Sequence, residues 1–352
     1  MGAVLSYSGL STKIRAMTAK LVSETQFREI AQLSTVSEAV AYLKKTDEYR
    51  ERWASLDETQ LHRGEAEKLL KKSVFQDYTK LYHFCNPKQR KFMNLYFKRY
   101  EIFFIKECIR YIFDHRNLTE SSAVYTDLSV YAEFFHRHSK LDIDRMVTCS
   151  SMDELIQVVS ASEYYGPLSR VAGRDKALAF DYGMVLDVYY FEQIWKMKDR
   201  LFSGVDLENI TKAYGRKFDL INLQWIQRAK QYYNMNPANI FALLIPAHYK
   251  LKQEELNALT NAANMEDFYA ILDKTYYGRR FPNISSSSLD EFYNYLLRAT
   301  LKKEARKTPY SVISIYAFLY RKEHEVDRLT TAIECIRYGV EPEETMRYIR
   351  NN

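Results

Sequence analysis

The pattern of one short amphipathic helix occurs three times in the sequence, at intervals of about 115 residues. The copies read TVSEAVAYLKKTDEY (35–49), SMDELIQVVSASEYY (151–165) and NMEDFYAILDKTYYG (264–278). Each copy opens on a side chain that can cap a helix by accepting a backbone N–H, namely Thr35, Ser151 and Asn264. An acidic residue follows three positions later, which predicts a capping box in the first two copies. These acidic residues are Glu38, Glu154 and Asp267.

Apolar residues then recur at offsets of three and four, which is the spacing of one buried helix face. The stripes are Val36, Val40 and Leu43; Met152, Ile156 and Val159; and Met265, Tyr269 and Leu272. A hydroxyl residue aligns near the end of each copy, at Thr46, Ser162 and Thr275. A tyrosine follows it, at Tyr49, Tyr165 and Tyr277. We therefore predict that this element belongs to the core of a repeated module.

A second, longer helix also recurs, once downstream of each copy. The segments read FKRYEIFFIKECIRYIF, YGRKFDLINLQWIQRAK and LYRKEHEVDRLTTAIECI. One carboxylate aligns across them, at Glu101, Asp219 and Glu325. A basic doublet precedes each carboxylate, at Lys98/Arg99, Arg216/Lys217 and Arg321/Lys322. Two elements in the same order and at matching periods indicate a true internal repeat.

The repeat predicts an all-α chain of three similar helical modules, 1–117, 118–235 and 236–352. The chain has 10 Gly and 7 Pro, where average usage would give roughly 25 and 18. Turns are therefore few, which favours long helices. The 352 residues are too many for one ordinary core. Three such modules could close around a pseudo-threefold axis or follow one another in a row, and the pattern alone does not decide.

The sequence lacks the motifs of common catalytic and nucleotide-binding sites. There is no GxxxxGK[ST], GxGxxG, HExxH or GxSxG. His136 and His138 lie two apart and so point to different helix faces, whereas a helical metal pair prefers i, i+4 spacing. His83 and Cys85 have no second pair beside them. We expect no catalytic residue, cofactor or metal; an all-α enzyme with an unfamiliar site is the alternative.

The cysteine content favours a cytoplasmic protein, and the charge gives no reason to expect a nucleic-acid partner, so we expect none. The net charge is +6, from 51 basic and 45 acidic residues mixed along the chain, which permits nucleic acid but does not argue for it. The four scattered cysteines favour reduced thiols. The apolar run IFALLIPA is far shorter than the roughly 20 residues that cross a bilayer. We expect no membrane span.

The three basic doublets have two interpretations. They can be solvated helix faces that serve solubility. If the modules close in a ring, they can instead form three positive patches that contact an acidic partner. The candidate partner-contact residues are Lys98, Arg99, Arg216, Lys217, Arg321 and Lys322.

The chain resembles a known family from end to end. The opening LSYSGLSTKIRAMTAKLVS resembles the Y-x-Y-x-x-x-R-x-R-x-M start of the C subunits of bacterial and archaeal V-type ATPases, which are homologues of the eukaryotic vacuolar d subunit. Tyr7, Arg15, Met17 and Leu21 match that pattern. Lys13 replaces an arginine, and Ser8-Gly9 departs from the usual YV. The segment LIPAHYKLKQEELNAL resembles the family's third module. The close, LYRKEHEVDRLTTAIECIRYGVEPEETMRYI, is similar to its final helix and RYG-x-x-PEE tail.

The resemblance implies a funnel of three helical modules around a pseudo-threefold axis. It implies a non-catalytic central-stalk connector, one copy per complex, held peripherally on the cytoplasmic face of the membrane. One end would receive the central shaft subunits D and F, and the other would rest on the membrane rotor ring, so that torque passes between them. The parent complex is an ATP-driven proton or sodium pump, or an ATP synthase. An all-α scaffold or adaptor unrelated to the rotary pump is the alternative.

Aromatic side chains are candidates for lining the cavity that would hold the shaft. The candidates are Tyr232, Tyr233, Tyr276 and Tyr277. Packing inside a module core is the alternative role for each of them.

Overall fold

The computed structural model of the chain describes residues 2–59, 61, 64–114, 131–281, 284 and 288–351. All regular secondary structure in these ranges is helical, so the predicted all-α class is confirmed. None of the helices described is both long and apolar enough to cross a membrane. The helices are α1 (Gly2–Lys20), α2 (Glu24–Ala31), α3 (Val36–Leu43), α4 (Glu65–Phe84), α5 (Pro87–Phe113), α6 (131–138), α7 (Ile143–Met146), α8 (Met152–Val158), α9 (Tyr165–Ala172), α10 (Ala179–Leu201), α11 (Gly204–Gln231), α12 (Pro237–Leu243), α13 (Gln253–Asn261), α14 (Met265–Lys274), α15 (Tyr276–Arg280), α16 (Leu289–Lys307), α17 (Val312–Arg337) and α18 (Pro342–Asn351).

The chain divides into two compact units, and each is built from segments that are distant in sequence. The first unit takes in the described residues of Met1–Met93, Leu118–Ser139 and Thr308–Asn352. The second takes in those of Asn94–Asn117 and Lys140–Lys307.

The first unit is organised around α17. This helix packs against α1, α2, α3, α4 and α18. All eight residues of 312–319 are buried, as expected for a helix that is covered on every side. The burial continues past this apolar stretch to charged side chains, among them Lys322 and Glu325. Because a buried charge needs a partner, the second half of α17 must be matched by charged or polar side chains on its neighbours.

The second unit is organised in the same way around α11. This helix packs against α10, α12, α14 and α16. Its buried face includes Phe218, Leu220 and Leu223, and one polar residue among them is Asp219. Gly215 lies where α11 meets the loop after α12, and a Cβ there would stand 2.5 Å from the ring of Tyr249. The close approach of this loop to the helix therefore requires a glycine.

The three predicted helix caps are confirmed. Thr35 Oγ1 accepts the N–H of Glu38 at 3.1 Å, and the Glu38 carboxylate accepts the N–H of Thr35 in return, which completes the capping box of α3. Ser151 and Asn264 cap α8 and α14 through the N–H groups three residues on, at 3.3 and 2.8 Å. In the second copy the Glu154 carboxylate accepts the N–H of Ser150 at 2.8 Å, one residue before the cap.

The two compact units do not coincide with the three modules read from the sequence. The polar break at 114–122, which separates the first two modules, lies almost entirely outside the described residues. The break before the third module is described, and there Asn236 caps α12 with Pro237 in its first turn. The module boundaries at 117/118 and 235/236 therefore stay a prediction about the repeat.

The cap formed by Ser151 should contribute to stability. Ser151→Ala removes the side chain that caps the start of α8, and we expect a loss of about 1 kcal/mol in the free energy of unfolding, measured in urea. Ser160→Ala is the matched control, because Ser160 is exposed and its side chain caps no helix. Equal effects of the two substitutions would show that the cap does not stabilise α8.

Candidate functional site

Three tyrosine hydroxyls, one in each copy of the repeat, donate hydrogen bonds to the three aligned carboxylates. All six side chains are buried. The pairs are Tyr49 with Glu325 at 2.9 Å, Tyr164 with Glu101 at 2.5 Å, and Tyr277 with Asp219 at 2.8 Å. We refer to them as the Tyr–carboxylate pairs. The carboxylates were aligned from sequence without any partner being assigned to them.

The phenol is the donor in each pair. Burial raises the pKa of Tyr49, Tyr164 and Tyr277 well above the ordinary tyrosine value, and the adjacent carboxylate raises each of them further. The three hydroxyls therefore keep their protons at neutral pH. A hydrogen bond from a neutral hydroxyl to a carboxylate is charge-assisted and stronger than one between neutral groups.

The pairs connect the copies in cyclic order. The tyrosine of the second copy bonds to α5, the long helix of the first, and that of the third copy bonds to α11, the long helix of the second. Both of these pairs lie in the second unit. In the first unit, the tyrosine of the first copy bonds to α17, the long helix of the third. Each short element is thus fastened to the long helix of the preceding copy, and the first to the last.

The hydroxyl residue before each tyrosine also repeats its contact. Thr46, Ser162 and Thr275 each donate to the carbonyl three residues earlier, at 2.7 Å in every copy. This bond ends the short helix and turns the chain toward the tyrosine. The three residues were aligned from sequence, and the shared contact confirms that alignment.

In the second copy, the sequence alignment chose the tyrosine one position after the one that forms the pair. In the second copy Tyr164 is buried against Glu101, whereas Tyr165 is 44% exposed. The tyrosine follows the hydroxyl residue by two positions in the second and third copies and by three in the first. The extra residue in the first copy shifted the alignment.

The first basic doublet lies beside the pair of the second copy. Lys98 forms an ion pair with Glu163, the residue that precedes Tyr164. Arg99 donates to the hydroxyl of Tyr96 at 2.7 Å, and its guanidinium lies 5.1 Å from the centre of that ring. Both cations are half-buried and already engaged within the chain.

The second doublet has different partners. Arg216 Nη1 donates to Thr300 Oγ1 at 2.8 Å, and its buried Nε has no hydrogen-bond partner among the described residues. Lys217 lies 5.8 Å from the centre of the Phe191 ring. The residue before the paired tyrosine is here Tyr276 in place of an acid. This substitution explains why Arg216 turns to α16 for a partner.

The third doublet separates into one exposed and one buried cation. Arg321 is exposed, but Lys322 is 0% exposed and therefore cannot be a surface contact. Lys322 Nζ lies 2.8 Å from both Glu48 and Glu325 and donates to the Tyr49 hydroxyl at 3.2 Å. Glu48 precedes Tyr49 as Glu163 precedes Tyr164, so Lys322 occupies the position of Lys98.

Two further charged residues join Lys322, and both were missed from sequence. Arg52 forms ion pairs with Asp77 and, at 2.9 Å, with Glu48. Lys322 Nζ lies 3.9 Å from Asp77 Oδ2. We name Glu48, Tyr49, Arg52, Asp77, Lys322 and Glu325 the closing cluster, because it fastens the last long helix to the first copy. A signal did exist, since Asp77 lies three residues after Val74 and four before Leu81, on the apolar face of α4.

The candidate shaft-lining tyrosines fall into two groups. Tyr232 and Tyr233, at the end of α11, are 70% and 69% exposed. Tyr277 is 0% exposed and bonds to Asp219, so its assignment to a cavity wall was wrong. Tyr276 is partly buried and packs edge-on against Tyr277. Two of the four thus remain available at the surface.

The histidines and cysteines considered as metal ligands have other surroundings. Burial lowers the pKa of His138 to about 4, and its ring packs against Tyr78 and Phe134. Within the described ranges, no group of three or more His, Cys, Asp or Glu side chains is arranged to hold a metal ion. All four cysteines are free thiols.

Comparison with known proteins identifies the family. Residues 10–348 match the sequence profile of the ATP synthase (C/AC39) subunit. The chain belongs to this family. The match spans both compact units and all three copies of the repeat, so the Tyr–carboxylate pairs lie within the matched residues.

Several relatives from archaea resemble this C/AC39 family member over nearly its whole length. The C subunit of the A-type ATP synthase of Thermococcus kodakarensis is 23% identical, over 97% of this chain and 90% of its own. The corresponding protein of Pyrococcus horikoshii is 25% identical over the same shares. That of Methanosarcina mazei is 22% identical, over 92% of this chain and 87% of its own.

The Tyr–carboxylate pairs should be worth more than ordinary surface hydrogen bonds. Tyr164→Phe leaves the buried Glu101 carboxylate without its phenol donor, and we expect the free energy of unfolding to fall by about 1–3 kcal/mol. Tyr165→Phe is the matched control, one residue away and largely exposed, with an expected change within about 0.5 kcal/mol. Urea unfolding followed by circular dichroism measures both. A Tyr164→Phe effect no larger than the control's would mean that the pair is not stabilising.

Proposed function

We propose that this chain is the central-stalk connector of a rotary A/V-type ATPase. In this role it links the shaft, made of the D and F subunits, to the membrane rotor ring and transmits torque for ATP-driven proton or sodium transport, or for ATP synthesis. The connector is itself non-catalytic, is present in one copy, and sits peripherally on the cytoplasmic face of the membrane. The observation that carries the proposal is the family match along residues 10–348.

The connectivity of the pairs supports a closed arrangement of the modules. A chain whose modules followed one another in a row would leave its first and last elements without partners. Here Tyr49 of the first copy bonds to Glu325 of the last long helix. We infer that the modules 1–117, 118–235 and 236–352 close around a pseudo-threefold axis, as a funnel-shaped socket would require.

The contacts also suit a part that carries load. To slide one copy past its neighbouring long helix, a buried carboxylate would have to lose its donor, and that loss costs about 1–3 kcal/mol for each group. Well-packed protein interiors transmit strain with little compression. Three such contacts resist twisting better than apolar packing alone, because hydrogen bonds depend on direction.

The exposed or half-buried basic residues are the proposed contacts with an acidic partner surface. They are Lys98, Arg99, Arg216, Lys217 and Arg321. Of these, Arg321 is the most accessible, and Lys98 and Arg216 already have partners within the chain. A charge at the rim of an interface acts mainly through the association rate and its salt dependence.

Co-purification separates the connector from the alternative of an unrelated all-α scaffold. The full chain is mixed with the D–F shaft of its own complex and, separately, with the detergent-solubilised rotor ring. The connector binds both, one to one with the shaft. A chain that binds neither, or only one, is not the link between them.

Charge variants test the proposed contacts. We expect the triple variant Lys98→Gln, Arg216→Gln and Arg321→Glu to weaken shaft or ring binding about tenfold at low salt, and to flatten its salt dependence. Glutamine keeps hydrogen-bonding capacity at the two half-buried positions. Lys45→Glu is the control, an exposed cation outside the doublets. If triple variant and control bind alike, the doublets are solvated faces that serve solubility.

A further inference from the structure

The closing cluster is unusual because its buried charges do not balance. It holds the carboxylates of Glu48, Asp77 and Glu325 and only two cations, Arg52 and Lys322. The side chains are between 0% and 11% exposed. With every group ionised, one negative charge has no counterpart. An uncompensated buried charge is strongly unfavourable, and such a site commonly relieves it by taking up a proton.

The hydrogen bonds show which carboxylate is least well compensated. Glu325 accepts from Tyr49, Lys322 and, at 2.6 Å, from the backbone N–H of Val22. Glu48 faces both cations at 2.8 and 2.9 Å. Asp77 uses Oδ1 for Arg52, but its buried Oδ2 has no hydrogen-bond partner among the described residues. The least compensated atom of the cluster is therefore Asp77 Oδ2.

Asp219 provides an internal contrast. Asp219 is a buried aspartate like Asp77, and it is the carboxylate of the Tyr277 pair. Its two oxygens accept from the Tyr277 hydroxyl and from three backbone N–H groups, those of Tyr249, Lys250 and Leu251. With those four donors, both of its oxygens are hydrogen-bonded. The two aspartates differ in how many donors surround them, not in burial. Burial raises the pKa of Asp219 to about 6 as well, although its four donors lower it, so the contrast lies in the unpaired oxygen and the unbalanced charge around Asp77.

A small cavity borders the closing cluster. A cavity of about 80 Å³ adjoins Asp77 and Glu48, with room for a few water molecules. Its walls include three cations of α1 and α4, namely Lys13, Lys20 and Lys80. The cavity thus brings space for water to the residue that carries the unpaired oxygen.

We propose that the closing cluster is a proton-binding site, that Asp77 Oδ2 carries the proton, and that its uptake tightens the contact of α17 with the 44–56 turn and α4. The proton comes from water, and no covalent bond other than the new O–H bond changes in the protein. Protonation makes the cluster neutral, with two carboxylates facing two cations. It also turns the orphaned Oδ2 into a donor that can bond to water in the cavity or to a neighbouring carboxylate.

The other charged groups around the site are consistent with this assignment. These groups come from every element that borders the site. Helix α1 carries Lys13 and Lys20, α4 carries Lys80, and α17 carries Lys322 and Glu325. The 44–56 turn carries Asp47, Glu48, Tyr49, Glu51 and Arg52. Burial raises the pKa of Asp77 to about 6, and the charge of Glu48 adds to the rise against the opposing effect of Lys322 and Arg52. Burial would lower the pKa of Lys322, but its anionic surroundings raise it overall, so Lys322 remains charged throughout.

The direction of the pH effect follows from the raised pKa. An aspartate in the unfolded chain titrates near 3.8, and Asp77 in the fold titrates near 6. Between these values the folded chain binds a proton that the unfolded chain does not. The contribution of Asp77 to stability is therefore highest below about pH 4, falls as the pH rises to about 6, and is level above that. Two pH units correspond to about a hundredfold change in the unfolding constant.

The test compares the unfolding of the full chain with that of Asp77→Asn between pH 4 and 7.5. Trp53 is buried beside Tyr49, with ring centres 4.7 Å apart, and serves as a local fluorescent reporter once Trp195 and Trp225 are replaced by phenylalanine. We expect the unfolding constant of the parent chain to rise about a hundredfold relative to Asp77→Asn from pH 4 to 6, with no further change above. Asp290→Asn, at an exposed ion pair with Arg228, is the control and should follow the parent.

A second variant keeps the test decisive if Asp77→Asn does not fold. Glu48→Gln removes the like charge beside Asp77 and leaves two carboxylates facing two cations, so the extra dependence on pH should disappear here as well. Infrared difference spectra should show a protonated carboxyl band that grows as the pH falls through 6 and is larger in the parent than in the variant, because Asp219, whose pKa burial also raises to about 6, contributes equally to both. A parent whose pH dependence matches either variant, with no such excess in the band, would overturn the proposal.

Discussion

The hydrogen bond between a buried carboxylate and the tyrosine of the neighbouring copy is the interaction on which the rest of the structure depends. Each carboxylate is buried in the middle of a long helix. A carboxylate buried there is stable only if hydrogen-bond donors reach it. The donor comes from the short element of the next copy, so the requirement of one buried charge fixes where the next element must lie. In the first unit this requirement joins α17 to residues near the other end of the chain.

The three copies satisfy this requirement by different means. The third uses backbone N–H groups from the loop after α12. The second adds an ion pair between Lys98 and Glu163 at its edge. The first buries two cations and two further carboxylates. A common ancestor of the copies would explain the shared pair, and the divergent surroundings give each copy a different surface. A connector that meets two different partners needs that kind of asymmetry, so the departures from the repeat matter as much to the proposed function as the repeat does.

Sequence reasoning succeeded where the rules are local. Thr35, Ser151 and Asn264 were identified as caps because capping depends on residues within one turn. The aligned carboxylates were found from their spacing alone. The partner of each carboxylate could not be found in this way, because the pairing runs between copies and periodicity within a helix carries no information about it. Lys322 was misjudged for the same reason, since a lysine beside an arginine resembles a solvated doublet until Glu48, which lies 274 residues away, is brought to it.

Burying the charged side chains of the closing cluster costs free energy, but their contacts fix the register of α17 against its neighbours. Apolar faces tolerate a slip of one helical turn, about 5.4 Å, because similar side chains recur at that interval. A slip of α17 by one turn would carry Lys322 away from Glu48 and Glu325 away from both Tyr49 and the Val22 N–H. Every one of these groups would then be buried without a partner. Replacing such a cluster with apolar side chains often raises stability, but it removes the penalty for the wrong register. For the proposed connector, which would have to pass rotation from one partner to another without slipping, a single register is worth more than the last increment of stability.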